Sequence, residues 1–317
     1  MLNNNVHPDK ETFLDDVITG LSHVPKFLAC KYLYDSYGSK LFNKICLLDE
    51  YYLTRTETTI LIKNRKKISS HIGENAALIE YGSGSLDKTK ILLSSLESPR
   101  TLIAIDISQS ELKDSIDKIT SIYPKLSVIP ILGDFTQRID LSNIIPKTIK
   151  RVVFFPGSTI GNFSHVDATS FLKEVSLTIG KGGLLLIGVD LKKNPKRLID
   201  AYDDKEGVTA EFNKNIITRI NNELSANFLL NNFKHKAIYN EKLGRIEMHL
   251  QSLCDQSVTI SRTRFHFKLG ETIHTESAHK YTITEFHKIA DTSGFKTLET
   301  WCDDENLFSV HLLSAKG

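Results

Sequence analysis

Cysteine is scarce in this sequence. Four residues (Cys30, Cys46, Cys254 and Cys302) occur among 317, with no CxxC pair and no Cys/His ligand spacing. That excludes a disulfide framework and a cysteine-built structural zinc site, and leaves a reducing, cytoplasmic compartment as the expectation. A surplus of one charge is also missing: 40 basic residues face 38 acidic ones, for a formal net charge of +2. A chain that grips nucleic acid or an anionic membrane surface would show a basic excess or stripe. The one basic cluster, Lys63-Asn-Arg-Lys-Lys67, reads as the solvated side of a helix. No apolar run approaches the ~20 residues that span a bilayer. The start, Met1-Leu-Asn-Asn-Asn, lacks a charged segment followed by an apolar core, so no signal peptide is expected. There is no internal repeat and no low-complexity tract. What is present is 40% hydrophobic and 25% charged residues, a globular composition. At roughly 100–200 residues per domain, the length fits one large domain or two modest ones.

The first 75 residues carry helical periodicity, with Phe13, Leu14, Val17, Ile18 and Leu21 on one face and a further helix over about 56–70. From Ala76 the pattern alternates. Short apolar runs at 77–81, 101–106, 126–131, 151–155 and 183–187 predict strands, separated by helices over about 88–96, 112–122 and 167–179. Such runs argue for a parallel sheet covered on both faces, and Pro130 marks the third run as an edge strand or a strand end. After Pro195 the alternation stops. Phe212, Ile216, Ile220 and Leu224 form a helical stripe, and 245–253 with 258–269 predict an antiparallel pair. Thr282 and Glu285 make a capping box ahead of a helix, and strands over 296–301 and 308–312 close the chain. We therefore expect an α/β, Rossmann-like domain over 76–196 and 283–317. Residues 1–75 and 197–282 should form a second, mixed α+β domain.

Glu80-Tyr-Gly-Ser-Gly84 follows the first strand and precedes a helix. In such a sheet, ligands bind beyond the carboxyl ends of the strands, and two glycines let the backbone approach a nucleoside closely. Asp106 ends the second strand about 20 residues later, where an acid accepts from ribose hydroxyls. Asp134, in Gly133-Asp-Phe-Thr136, ends the third strand region, where a carboxylate can accept from an adenine amino group. The third glycine of a dinucleotide fingerprint is missing. Asp87 stands there, and it occupies the helix N-terminus that a pyrophosphate would need. S-adenosylmethionine, which carries a cationic sulfur and no phosphate, suits this acidic turn better than NAD.

Longer blocks carry a resemblance. They are Tyr34-Asp-Ser-Tyr-Gly-Ser-Lys-Leu-Phe42, Glu50-Tyr-Tyr-Leu-Thr-Arg-Thr-Glu57, Gly133-Asp-Phe-Thr136, Phe155-Pro-Gly-Ser-Thr-Ile-Gly-Asn162, Ala201-Tyr-Asp-Asp204, Gly207-Val-Thr-Ala-Glu-Phe-Asn213, Ile246-Glu-Met248 and His274-Thr-Glu276. In this order, across nearly the whole chain, they resemble the L-histidine Nα-methyltransferase family of ergothioneine biosynthesis. The resemblance implies a class I S-adenosylmethionine-dependent methyltransferase domain with a substrate-binding domain, and three methyl transfers that make Nα-trimethylhistidine (hercynine). It implies that Tyr34, Gly82, Lys88, Asp106, Asp134 and Phe135 hold the cofactor. It implies that Tyr51, Gly157, Asn162, Tyr202, Met248 and Glu276 hold the amino acid, with Tyr51 and Asn162 next to the reaction.

Elementary chemistry agrees with those roles. Methyl transfer needs an uncharged, desolvated amine held in line with the methyl group, so positioning supplies much of the rate. Asn162 can donate and accept at once, Tyr202 can donate to a carboxylate, and Glu276 can accept from an imidazole N–H. An aromatic ring such as Tyr51 suits a growing quaternary nitrogen. None of the histidines forms a metal pattern, and no metal is expected. The chain departs from the family at Ala278, where the pattern has a serine that contacts the imidazole; Ser277 is displaced by one. Another amino acid or a histidine derivative is therefore an alternative substrate, and a non-catalytic S-adenosylmethionine-binding protein a more distant reading. The expected partner is a free amino acid, with neither nucleic acid nor membrane, and the expected working species is a monomer.

Overall fold

In the computed structural model, which describes residues 10–317 apart from Arg138, Asp140, Ser142 and Lys147, the helical periodicity of the first part resolves into three helices. They are α1 (Lys10–Ser22), α2 (Ser36–Ile45) and α3 (Tyr52–Ile72). The polar stretch 1–9 lies outside the described residues. Asp35 caps α2 by accepting from the Gly38 N–H. Then come β1 (Ala77–Tyr81), α4 (Asp87–Leu93), β2 (Thr101–Asp106), α5 (Gln109–Ile122), β3 (Ser127–Leu132), β4 (Arg151–Phe155), α6 (His165–Ile179) and β5 (Leu184–Asp190). A helical pair, α7 (Pro195–Asp200) and α8 (Val208–Leu224), precedes β6 (Phe233–Asn240), β7 (Arg245–Ser252), β8 (Gln256–Ile260), β9 (Thr263–Phe267) and β10 (Thr272–His279). The chain closes with α9 (Ile283–Thr292), β11 (Phe295–Cys302) and β12 (Phe308–Ala315). The capping box at Thr282 and Glu285 is formed at the start of α9.

Contacts divide the chain into two compact units. The first contains Leu53–Lys192 and His279–Gly317; the second contains the described residues up to Tyr52 and Lys193–Ala278.

The first unit is organised by a seven-stranded sheet in the order β11-β12-β5-β4-β1-β2-β3. Strands β1 to β5 run parallel, and β12 inserts antiparallel between β5 and β11. The strand order reverses between β1 and β4, which places the switch point of this Rossmann-like sheet beside the Gly82 turn. The apolar runs of β1 and β5 are buried throughout, as helices on both faces require. Ile79, Ile103, Val153, Phe155, Leu185 and Leu313 belong to the core, each burial worth about 1.5–3 kcal/mol. Pro130 lies on β3, an edge of the sheet, where its missing N–H costs no ladder bond.

Helix α3 joins this unit, although the sequence reading grouped it with the second domain. It buries Glu57, Ile60, Leu61 and Ile68. Lys67 pairs with Glu299 at 2.9 Å.

The second unit contains α1, α2, α8, a three-stranded sheet in the order β10-β7-β6 and the hairpin β8–β9. The stripe Phe212, Ile216, Ile220 and Leu224 is the buried face of α8. The expected pairing of 245–253 with 258–269 is not formed. Strand β7 pairs antiparallel with β6, Ala237 opposite Met248, while β8 and β9 make their own hairpin, Val258 opposite Phe265. The missed signal was the alternation Phe233, His235, Ala237 along β6, all buried. The turn inside 258–269 falls at Ser261, which takes a left-handed conformation with φ 54°.

Candidate active site

In the first unit, the turn after β1 is held against β2. Gly82 and Ser83 both donate their N–H to the Ile105 carbonyl, at 2.9 and 3.1 Å. Gly82 has φ +70°, and a Cβ there would stand 3.4 Å from the Phe135 ring, so glycine both permits the turn and keeps space in front of that ring. Asp106 accepts from the Gly84 N–H through Oδ2 and from the Ser108 N–H through Oδ1, each at 2.8 Å. Burial raises its pKa, opposed by those N–H groups. Each oxygen keeps a lone pair for a further donor such as a ribose hydroxyl. Asp134 uses Oδ1 to accept from the Thr136 N–H and hydroxyl, at 2.9 and 2.6 Å. Phe135 stacks on Tyr81 with centroids 6.1 Å apart and planes 12° apart. An aromatic face, a close-approach glycine and two carboxylates suit a nucleoside without phosphates. Behind them, Glu80 is buried and accepts from the Thr89 hydroxyl. Burial lifts its pKa to about 8.

A second cluster in the same unit forms where β4 ends. Glu57, fully buried, accepts from the Gly157 N–H at 3.1 and 2.8 Å and pairs with the Lys88 ammonium. A Cβ at Gly157, where φ is +80°, would lie 3.8 Å from Lys88 Nζ. Ser158 Oγ accepts from the Asp190 N–H at 2.9 Å, and the Thr159 hydroxyl donates to the Pro156 carbonyl at 3.0 Å. Asn162 ends the short 3-10 turn Thr159–Asn162, half-buried. The carbonyl before it, on Gly161, accepts from His279 Nδ1–H at 3.0 Å. Lys88 and Gly157, assigned to different ligands from sequence, thus share one carboxylate.

The second unit gathers aromatic rings. Tyr34 lies edge-on to Phe42 and Phe212, at 5.5 and 5.4 Å between centroids. Tyr51 meets Phe42 and Tyr202, both at 6.1 Å. Burial raises the pKa of Tyr34 and Tyr51 well above the usual phenol value, and the nearby Glu276 carboxylate adds to both shifts. Glu276 is buried in β10, and Met248 is buried in β7. Thus Tyr34, Tyr51, Tyr202 and Glu276 come together. Tyr34, expected with the cofactor set, belongs to this unit. Ala278 is buried, and the Ser277 hydroxyl lies 3.1 Å from His274 Nε2.

Among the described residues, no group of three or more His, Cys, Asp or Glu could hold a metal ion. Sequence reasoning gave no role to Glu57, Phe42, Phe212 or His279, though the first three sit inside quoted blocks. Nothing in their spacing shows that one buries a carboxylate against β4 and β5, or that two flank Tyr34. That information is tertiary.

Residues 13–315 match the family described as "Histidine-specific methyltransferase, SAM-dependent". The chain is 36% identical to a histidine N-alpha-methyltransferase of Mycolicibacterium smegmatis, over 95% of this chain and 94% of that protein. It is 32% identical to ergothioneine biosynthesis protein 1 of Neurospora crassa, over 92% of this chain but 33% of that larger protein. It is also 28% identical to an L-tryptophan methyltransferase of Psilocybe serbica, over 95% and 92%.

Proposed function

Since the chain belongs to the S-adenosylmethionine-dependent, histidine-specific methyltransferase family, we propose that it methylates the α-amino group of free L-histidine three times, giving hercynine. The observation that carries this reading is the buried Glu276 among Tyr34, Tyr51 and Tyr202: an acid for an imidazole N–H beside rings for a cationic nitrogen.

When bound, S-adenosylmethionine supplies an electrophilic methyl group on sulfur. We assign its nucleoside to Gly82, Asp106, Asp134 and Phe135, and its amino-acid end to Lys88, with Tyr34 completing the cofactor set. Histidine is assigned to Tyr51, Gly157, Asn162, Tyr202, Met248 and Glu276. Asn162 orients the amine, since its amide donates and accepts. Tyr51, its hydroxyl kept protonated by burial, donates a hydrogen bond and is no general base. The rings of Tyr34, Phe42, Tyr51 and Phe212 suit an amine that gains methyl groups and ends as a fixed cation. Glu276 accepts from the imidazole and makes histidine preferable to an apolar side chain. The four cysteines are free thiols, which agrees with a reducing cytoplasm.

The test is a mass-spectrometric panel of the free amino acids with S-adenosylmethionine. Histidine should give the highest kcat/KM. Turnover of tryptophan or tyrosine without histidine would move the assignment to another amino acid; no turnover of any would leave a binding protein.

A further inference from the structure

Inside the second unit, a chain of buried polar groups touches the backbone next to several residues assigned to the amino acid, yet belongs to neither ligand set. Asn213, fully buried on α8, stands at its centre. Its Nδ2 donates to His235 Nδ1 at 2.9 Å and to the His249 carbonyl at 3.1 Å. Its Oδ1 accepts from the Thr275 hydroxyl at 2.6 Å. His235 Nε2–H donates to the Tyr202 carbonyl at 2.8 Å, which fixes the ring as the neutral Nε2–H tautomer. The Thr275 hydroxyl also lies 3.0 Å from the Met248 carbonyl. Several members are assigned residues or stand next to one. Tyr202 and Met248 offer their own carbonyls, Glu276 follows Thr275, and Phe212 precedes Asn213.

We propose that Asn213, His235 and Thr275 are positioning residues for the amino-acid substrate: without touching it, they fix Tyr202, Met248 and Glu276 at the level of the backbone and so set its affinity. This rests on the reading of the second unit as the histidine-binding part. The physical ground is saturation. The Asn213 amide spends both donors and its acceptor on three different elements, β6, β7 and β10, so none of those strands can slide without leaving a buried polar group unpaired. The Asn213 carboxamide orientation is unambiguous, because a flip would set its oxygen against the His249 carbonyl.

The experiment compares Thr275→Val, which keeps the shape and removes the hydroxyl, with Thr275→Ser, which keeps the hydroxyl. KM for histidine, affinity for S-adenosylhomocysteine and thermal midpoint are measured for each. Thr275→Val should raise KM for histidine by about fivefold, the factor for one ordinary hydrogen bond. Thr275→Ser should stay within about twofold of wild type, and neither should move S-adenosylhomocysteine affinity. His235→Phe, a ring without nitrogens, should raise the histidine KM at least as far and keeps the test decisive should Thr275→Val not fold. The proposal is overturned if Val and Ser behave alike, which makes Thr275 a packing residue, or if affinity for S-adenosylhomocysteine falls in parallel, which makes the network a matter of global stability. Should wild type turn over a different amino acid, the functional reading fails instead, and the same comparison on that amino acid decides this one.

Discussion

Replacing Gly188 by alanine should disable the Glu57 cluster without substituting any residue assigned to a ligand. The added Cβ would stand 1.9 Å from Glu57 Oε1, 2.9 Å from its Cδ and 3.0 Å from the Phe308 ring. Carbon contacts are comfortable near 3.5 Å, so the carboxylate would have to retreat by about 1.5 Å. It has nowhere cheap to go, because Glu57 is fully buried and β5, which carries Gly188, is packed on both faces. A retreat of that size breaks the bonds from the Gly157 N–H, now 3.1 and 2.8 Å. A hydrogen bond to a charged group contributes about 1.5–3 kcal/mol. Separating the Lys88 pair adds to this, although the Lys88 side chain is 17% exposed and can recover some hydration. We expect a loss of about 3 kcal/mol in stability and roughly tenfold weaker S-adenosylhomocysteine binding through displaced Lys88. Urea denaturation followed by Trp301, the single tryptophan, on β11, reads the first; titration calorimetry reads the second. Glu57→Gln should fall between the two, since the amide oxygen still serves Gly157 but no longer balances Lys88. Wild-type denaturation and affinity in Gly188→Ala would refute the role given to Glu57.

Asp106→Ala should weaken S-adenosylhomocysteine binding by about 1.5–3 kcal/mol; unchanged calorimetric affinity in a folded variant would move the nucleoside elsewhere. Glu80, with its pKa lifted from 4.5 to about 8, keeps in the fold a proton that the unfolded chain releases. Its contribution is complete below pH 4.5 and lost as pH rises through about 8. Glu80→Gln should therefore flatten the decline of the denaturation midpoint over that interval, and an unaltered slope would show that Glu80 ionises normally. Ala278→Ser should lower KM for histidine by offering the imidazole a second partner. Unchanged kinetics would mean that the imidazole already has one.

Most of the sheet was legible because it is written in local apolar runs. The boundaries of β1, β2 and β4 follow the sequence to the residue, and Pro130 marked the edge. The pairing of β7 was not legible, since periodicity names a strand but not its neighbour, and the partner strand β6 went unread. Gly82, Asp106 and Asp134 could be found by their places at strand ends. Tyr51, Met248 and Glu276 were singled out only by the ordered set of family blocks, because a lone tyrosine, methionine or glutamate ordinarily packs or faces water. The Glu57 pair and the Asn213 network were beyond reach, as each joins side chains far apart in sequence.

The central claim is the transfer of methyl groups to the α-nitrogen of histidine, and nuclear magnetic resonance of the product tests it most directly. With 13C-methyl S-adenosylmethionine and histidine, the account predicts one product whose three equivalent labelled methyl groups sit on the α-nitrogen, with the imidazole unmodified. Label on a ring nitrogen, or on another amino acid with histidine untouched, would contradict it.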